Sequence, residues 1–230
     1  MQQFFKRNKL FILVATIVFS GIFYAIYTLQ QPQKRLPIFT PRDVNPELVD
    51  SMVQHIGYNH TIEKFAFTNQ NGETVTQNDY KDKIYVADFF FTTCPTICPK
   101  MTDNMVWLQE KIKNMPDVML LSHSVTPQID SVPVLKKYAL EKGVIDAKWN
   151  LVTGNQKDIY SIARRSYLAV KTGSPDEMYD MVHTENFILV DKKGRIRGFY
   201  DGKNLNKDTG DITTKNVSQL LEDIEFLRTK

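Results

Sequence analysis

The sequence predicts an α/β sandwich carried behind one N-terminal membrane helix. Three observations support this: a charge-free stretch from Leu10 to Leu29, two runs with buried-strand character at Ile84–Phe91 and Val118–Val125, and apolar residues at helical spacing after each run. Strands that alternate with helices, then close with a hairpin and a helix, bury their apolar faces by stacking in layers.

The anchor comes first in the chain. Lys6, Arg7 and Lys9 precede Leu10–Leu29, and about twenty apolar residues rising 1.5 Å each cross the hydrocarbon core of a bilayer. A cleaved signal peptide has a shorter apolar region, about 7–15 residues, ending in a small-residue cleavage site. No clear site of that kind follows Leu29, and no cysteine is there to take a lipid. Residues 1–9 therefore read as a short cytoplasmic tail and 10–29 as a transmembrane anchor. Residues 30–60, with prolines at 32, 37, 41 and 46, read as a linker. Residues 61–230 are enough for one domain with a real core and too few for two. The basic N-terminus lacks an Arg- and Ser-rich transit segment, so the expected location is a bacterial inner membrane, single-pass, with the domain in the periplasm. A net charge of +3 with both signs interspersed leaves no basic stripe for nucleic acid.

Within the domain, Phe65 and Phe67 alternate with polar residues and Asn71-Gly72 supplies a turn before Val75, which predicts an N-terminal hairpin. Ile84–Phe91 is apolar enough for a strand buried on both faces. Pro99 suits a first helical turn, and Met101, Met105, Leu108 and Ile112 follow at helical spacing. Val118–Val125 is a second buried strand, Ser131–Lys142 a helix closed by Gly143, and Trp149–Val152 a short strand. Asn155 caps a helix expected to run to about Ala169. Phe187–Val190 and Ile196–Tyr200 form a hairpin, and Val217, Leu220, Leu221, Ile224 and Leu227 share one face of a last helix.

The chain has two cysteines, Cys94 and Cys98, placed where a buried strand hands over to a helix N-terminus. Amides and the dipole at that position stabilise a thiolate, the form that attacks disulfides and binds soft metals. A disulfide closing so short a loop removes little unfolded-chain entropy and is a poor staple. A redox pair and a metal site both remain open. A metal site needs a further ligand, and among His55, His60, His123 and His183 the last precedes the strand Phe187–Val190. It lies beside the cysteines if that strand neighbours Ile84–Phe91. Two thiolates and an imidazole suit Cu(I).

"FFFTTCPTICPKM", "SVTPQIDSV", "LVTGNQKDI" and "VHTENFILVDKKGRIRGFYDG" together resemble the Sco/SenC family, membrane-anchored thioredoxin-fold proteins that deliver copper to cytochrome c oxidase. The resemblance runs from about residue 60 to the C-terminus. It implies a thioredoxin-like sandwich, one copper ion held as Cu(I) or Cu(II) by Cys94, Cys98 and His183, and a copper-bearing oxidase subunit or another copper protein as partner.

Three departures qualify the likeness. Thr126 and Asp130 stand where many members have Asp-x-x-x-Asp, and Val182 stands where many have an acidic residue before the histidine. Asp88, six residues before Cys94, resembles the buried aspartate of thioredoxins, which takes a proton from a thiol. It supports a second function, an extracytoplasmic thiol–disulfide oxidoreductase with Cys94 attacking and Cys98 resolving. His123 is a further second-sphere donor or alternative ligand, and Met178 and Met181 offer thioethers. A thiol peroxidase helped by Thr92, Thr93 or Thr96 fits less well, because the second cysteine is so near.

Overall fold

Eight strands form one sheet in the computed structural model, which describes residues 8–30, 35–44, 49–169, 185–206 and 215–230. They are β1 (Ala66–Asn69), β2 (Thr74–Thr76), β3 (Ile84–Phe90), β4 (Val118–Ser124), β5 (Trp149–Thr153), β6 (Asn186–Val190), β7 (Ile196–Asp201) and β8 (Lys215–Asn216). The order across the sheet is β2-β1-β5-β4-β3-β6-β7-β8. At its centre β3, β4 and β5 run parallel, while β1 and β6 join them antiparallel. Every residue of β3 and β4 is buried, as their apolar sequences require of strands covered on both faces.

A separate helix, α1 (Lys9–Gln30), is long and apolar enough from Lys9 to Tyr27 to cross a membrane. The rest of the chain, from Leu36, forms its own compact body. There α2 (Cys98–Ile112), α3 (Val132–Lys142) and α5 (Val217–Arg228) cover one face of the sheet, and α4 (Gln156–Arg165) covers the other. Because side chains alternate along a strand, Val86 and Leu120 join the α2 layer, whereas Ala87 and Leu121 join the α4 layer.

Three features depart from the sequence reading. The segment read as a linker is packed on the body from Leu36 onward: Phe39 pairs with Ile196, Val49 is buried, and the Arg197 guanidinium donates to the carbonyls of Leu36 (2.7 Å) and Pro37 (2.8 Å). The chain is extended at Thr40, and Pro41–Asp43 then form one 3-10 turn, so the segment lies against the sheet instead of spanning solvent. Second, α4 ends at Arg165, not near Ala169. Leu168 turns left-handed at φ 54° and the Ala169 amide bonds back to the Ala163 carbonyl at 3.0 Å, which closes the helix end. Tyr167, Leu168 and Ala169 remain buried after the helix stops, so the apolar pattern outlasts the helix. Third, β8 extends the C-terminal hairpin by a short parallel strand.

The register sets the geometry of the body. Tyr85 pairs with Val190 and Ala87 with Ile188, so the start of β6 lies beside the end of β3, where the cysteines follow. Leu36 and Phe39 meet the opposite end of the sheet, at Ile196.

Candidate functional site

Helix α2 begins at Cys98, with Ile97 at its N-cap and no side-chain cap bond of its own. The Cys94 sulfur takes that place: the Cys98 amide donates to Cys94 Sγ at 3.4 Å. Helix starts leave amides without partners, and Cys94, held by its own amide on the Phe91 carbonyl at 3.3 Å, is aimed at them. Both cysteines are free thiols.

Their acidities split. Burial pulls the Cys94 thiol up, but the Cys98 thiol and the amides of Cys98, Thr96 and Ile97 outweigh it and bring Cys94 down to about 6. Burial, then the neighbouring Cys94, pushes Cys98 up to about 12. Near neutral pH the pair is one thiolate sharing one proton's donor. Cys94 is only 7% exposed and Cys98 3%, so the sulfurs sit just beneath the surface, less open than a loop-borne pair is expected to be.

Asp88 lies on the same face of β3. Ser122 donates to its carboxyl, and the Trp149 indole donates to Ser122 Oγ at 2.8 Å. Burial raises Asp88 to about 7, against the Ser122 bond, which lowers it. The Asp88 carboxyl therefore titrates near neutrality, and its charge is among the causes that push Cys98 up.

His123 does not join them. It is one residue past Ser122 on β4 and so points to the other face, where Phe65, Phe67, Phe89 and Tyr167 surround its ring. Its Nδ1 meets the Asp88 carbonyl at 3.3 Å, and Nε2 has no hydrogen-bond partner. The alternation of the strand removes it from the sulfurs. Burial pushes its pKa down to about 4, against the Asp88 carbonyl, which raises it. The unfolded chain, with a histidine near 6.5, binds a proton that the folded chain refuses. Stability is therefore lost as pH falls from 6.5 towards 4, by about 3 kcal/mol. Asp88 acts oppositely, costing stability as pH rises from its unfolded value towards 7. The comparison of wild type with His123→Leu isolates the histidine. In urea unfolding the variant should gain about 3 kcal/mol on wild type between pH 7 and pH 4; a constant gap would show that the ring is charged or solvated.

His183, Met178 and Met181 lie outside the described residues. Among the described residues no group of three or more His, Cys, Asp or Glu is placed to hold a metal, so Cys94 and Cys98 are the donors in view. The start of β6 is nonetheless tied to α2: Gly202 donates to the Glu185 carbonyl at 2.7 Å and accepts from Asn104 Nδ2 at 2.7 Å. A Cβ at Gly202 would meet Phe187 at 2.8 Å and Met101 at 3.1 Å, so only glycine allows this approach. Glu185 is two residues from His183.

Asp130, read in the sequence only against the Asp-x-x-x-Asp pattern, has contacts that no spacing shows. The buried Asp130 carboxyl accepts from the Thr92 amide (3.3 Å), the Thr92 hydroxyl, Ser124 Oγ (2.6 Å) and Thr126 Oγ1 (3.1 Å). Thr92 and Asp130 are 38 residues apart, and only the parallel pairing of β3 with β4 brings them together. Thr126, where the family pattern has an aspartate, serves here as a donor.

A model of the SCO1/SenC family matches residues 53–219. The SCO1 protein homolog of Bacillus subtilis is 36% identical over 146 residues, which cover 63% of this chain and 75% of that one. Among solved structures, BsSco, in which a disulfide switch was identified and which is described as a member of the Sco family of cytochrome c oxidase assembly proteins, is 33% identical. It aligns with a TM-score of 0.61 over 74% of this chain and 95% of its own. Arabidopsis thaliana ScoI, solved with copper bound, is 25% identical with a TM-score of 0.55, over 73% of this chain and 98% of its own. The sandwich is the thioredoxin-like fold of these structures. With the family pattern running through the strand, the cysteine turn and the closing hairpin alike, the chain belongs to the SCO1/SenC family.

Proposed function

We propose that the protein is a copper chaperone of the bacterial inner membrane, anchored by α1 with its body in the periplasm, that delivers copper to the copper-bearing subunit of cytochrome c oxidase or to another copper protein. The observation that carries the proposal is the cysteine pair itself: two unbonded sulfurs at a helix start, one already held as a thiolate. Soft sulfurs suit Cu(I), and copper bound to a ScoI of the same fold supports the reading. His183 is the proposed third ligand, because β6 neighbours β3 at the cysteine end. On loading, Cys94 binds as the thiolate it already is and Cys98 gives up its proton to solvent. On transfer, acceptor ligands replace Cys94, Cys98 and His183 one at a time, and Cys98 regains its proton.

The second reading, a thiol–disulfide oxidoreductase, is favoured by the acidity split and by Asp88. Cys94 thiolate attacks a partner disulfide and expels one partner thiolate. Cys98, deprotonated by Asp88, then attacks Cys94 and releases the other, leaving the pair oxidised and the partner reduced by two electrons.

One experiment separates them. Full-length protein in detergent, loaded anaerobically with Cu(I), is mixed with the apo copper domain of an oxidase subunit, and acceptor copper is measured after separation. Transfer to reduced acceptor is expected. Failure to transfer, with metal-free protein still reducing oxidised acceptor, would favour the second reading.

A further inference from the structure

We propose that Asp130 is the positioning residue of the cysteine turn: by gripping Thr92 it fixes the direction in which the chain leaves β3 and so presents Cys94 to the amides of α2. Asp130 is fully buried. A carboxyl has two oxygens with about four acceptor sites, and here four donors from three residues use them. Oδ2 takes the Thr92 amide, Ser124 and Thr126, while Oδ1 takes the Thr92 hydroxyl. Ser124 and Thr126 belong to the end of β4 and the turn after it, and the Val125 amide also bonds the Phe90 carbonyl at 2.9 Å. One side chain therefore clamps the last residues of β4 to the first residue after Phe91.

The consequence falls on Cys94, two residues further on. Phe91 provides the carbonyl for the Cys94 amide, so the clamp holds the residue next to the one that anchors Cys94. The Cys98 amide meets Cys94 Sγ at 3.4 Å, a long contact that a small movement of the turn would break. In the reduced pair that contact and the Cys98 thiol stabilise Cys94. In the oxidised pair the Cys94 sulfur is bonded to Cys98 and is a poorer acceptor for that amide. Loosening the clamp should then move the thiol–disulfide equilibrium towards the disulfide.

The inference rests on Cys94 and Cys98 being the working pair, and its test uses metal-free protein, so it can fail while copper binding stands. Full-length wild type, Asp130→Ala and Thr92→Val are equilibrated with glutathione buffers, and the oxidised fraction is measured by thiol labelling. Thr92→Val keeps the shape and the amide but removes the hydroxyl, so it remains informative if Asp130→Ala does not fold. Ile159→Val, buried on the opposite face, serves as the control for lost stability alone. Thr92→Val should favour the disulfide about tenfold, which is about 30 mV for a two-electron couple, and Asp130→Ala at least as much. Ile159→Val should leave the constant unchanged. Amide hydrogen exchange across 92–98 should quicken in the first two variants only. An unchanged constant in Thr92→Val, or an equal shift in Ile159→Val, would overturn the assignment.

Discussion

Exchanging either cysteine for serine should weaken Cu(I) binding on the order of a thousandfold, because a serine hydroxyl stays protonated at neutral pH and is a hard donor where a soft one is needed. Each variant keeps one sulfur and the proposed histidine, too few donors to hold the ion well. The losses should also differ in kind. Cys94→Ser removes the sulfur that caps α2, so the helix start loses a partner. Cys98→Ser places a hydroxyl in a position only 3% exposed among apolar side chains, at a cost of about 1–2 kcal/mol unless it finds a bond. Neither removes a disulfide, since both thiols are free. Anaerobic competition against a Cu(I) chelator measures the loss. Affinity within threefold of wild type in either variant would mean that its sulfur is not a ligand.

Trp149→Ala should be the most damaging single change to the body, costing about 3–5 kcal/mol. The indole is 2% exposed and packs in the α2 layer beside Leu120 and Leu151, so its removal leaves a cavity in a region flanked by strands on both sides. It also leaves Ser122 without the donor at 2.8 Å that orients its hydroxyl towards Asp88. At about 2–4 °C per kcal/mol for a body of this size, the melting temperature should fall by about 10 °C. Trp149→Phe separates the two effects. It keeps most of the volume and loses only the N–H, for about 1 kcal/mol. Thermal unfolding followed by circular dichroism reads both. Equal losses in the two variants would assign the residue's value to its hydrogen bond.

The central elements were legible because their signals are local. Ile84–Phe91 is apolar without alternation, and Gly143 stands after the periodic residues of α3 and takes the left-handed φ of 71° that its position needs. Where the reading slipped, a tertiary contact had replaced a local rule. The prolines of this segment suggest a linker, but nothing in the sequence shows that Arg197, about 160 residues later, holds it by the carbonyls of Leu36 and Pro37. The periodicity of α4 continues through Tyr167 and Leu168 because buried apolar residues follow the helix end. At the site, motif and offset single out the cysteines and Asp88, which the fold brings near one another. His123 was misplaced because its role depends on which face of β4 it occupies. That parity was already contained in the strand: if Asp88 and Ser122 face α2, His123 cannot. Asp130 joins Thr92 only through the pairing of β3 with β4, and no spacing along the chain reveals it.

The proposed copper site needs a third ligand beside the cysteine pair. Cu(I) affinity of reduced full-length protein in detergent should be compared anaerobically with that of His183→Ala, by competition with a chelator of known affinity, alongside the glutathione equilibrium of both metal-free proteins. Wild type should hold one copper tightly, the variant should lose about 10–100-fold in affinity, and the thiol equilibrium should scarcely move. Equal affinity in the two proteins would contradict the third ligand and leave Cys94 and Cys98 as a thiol reductase with Asp88 as its base.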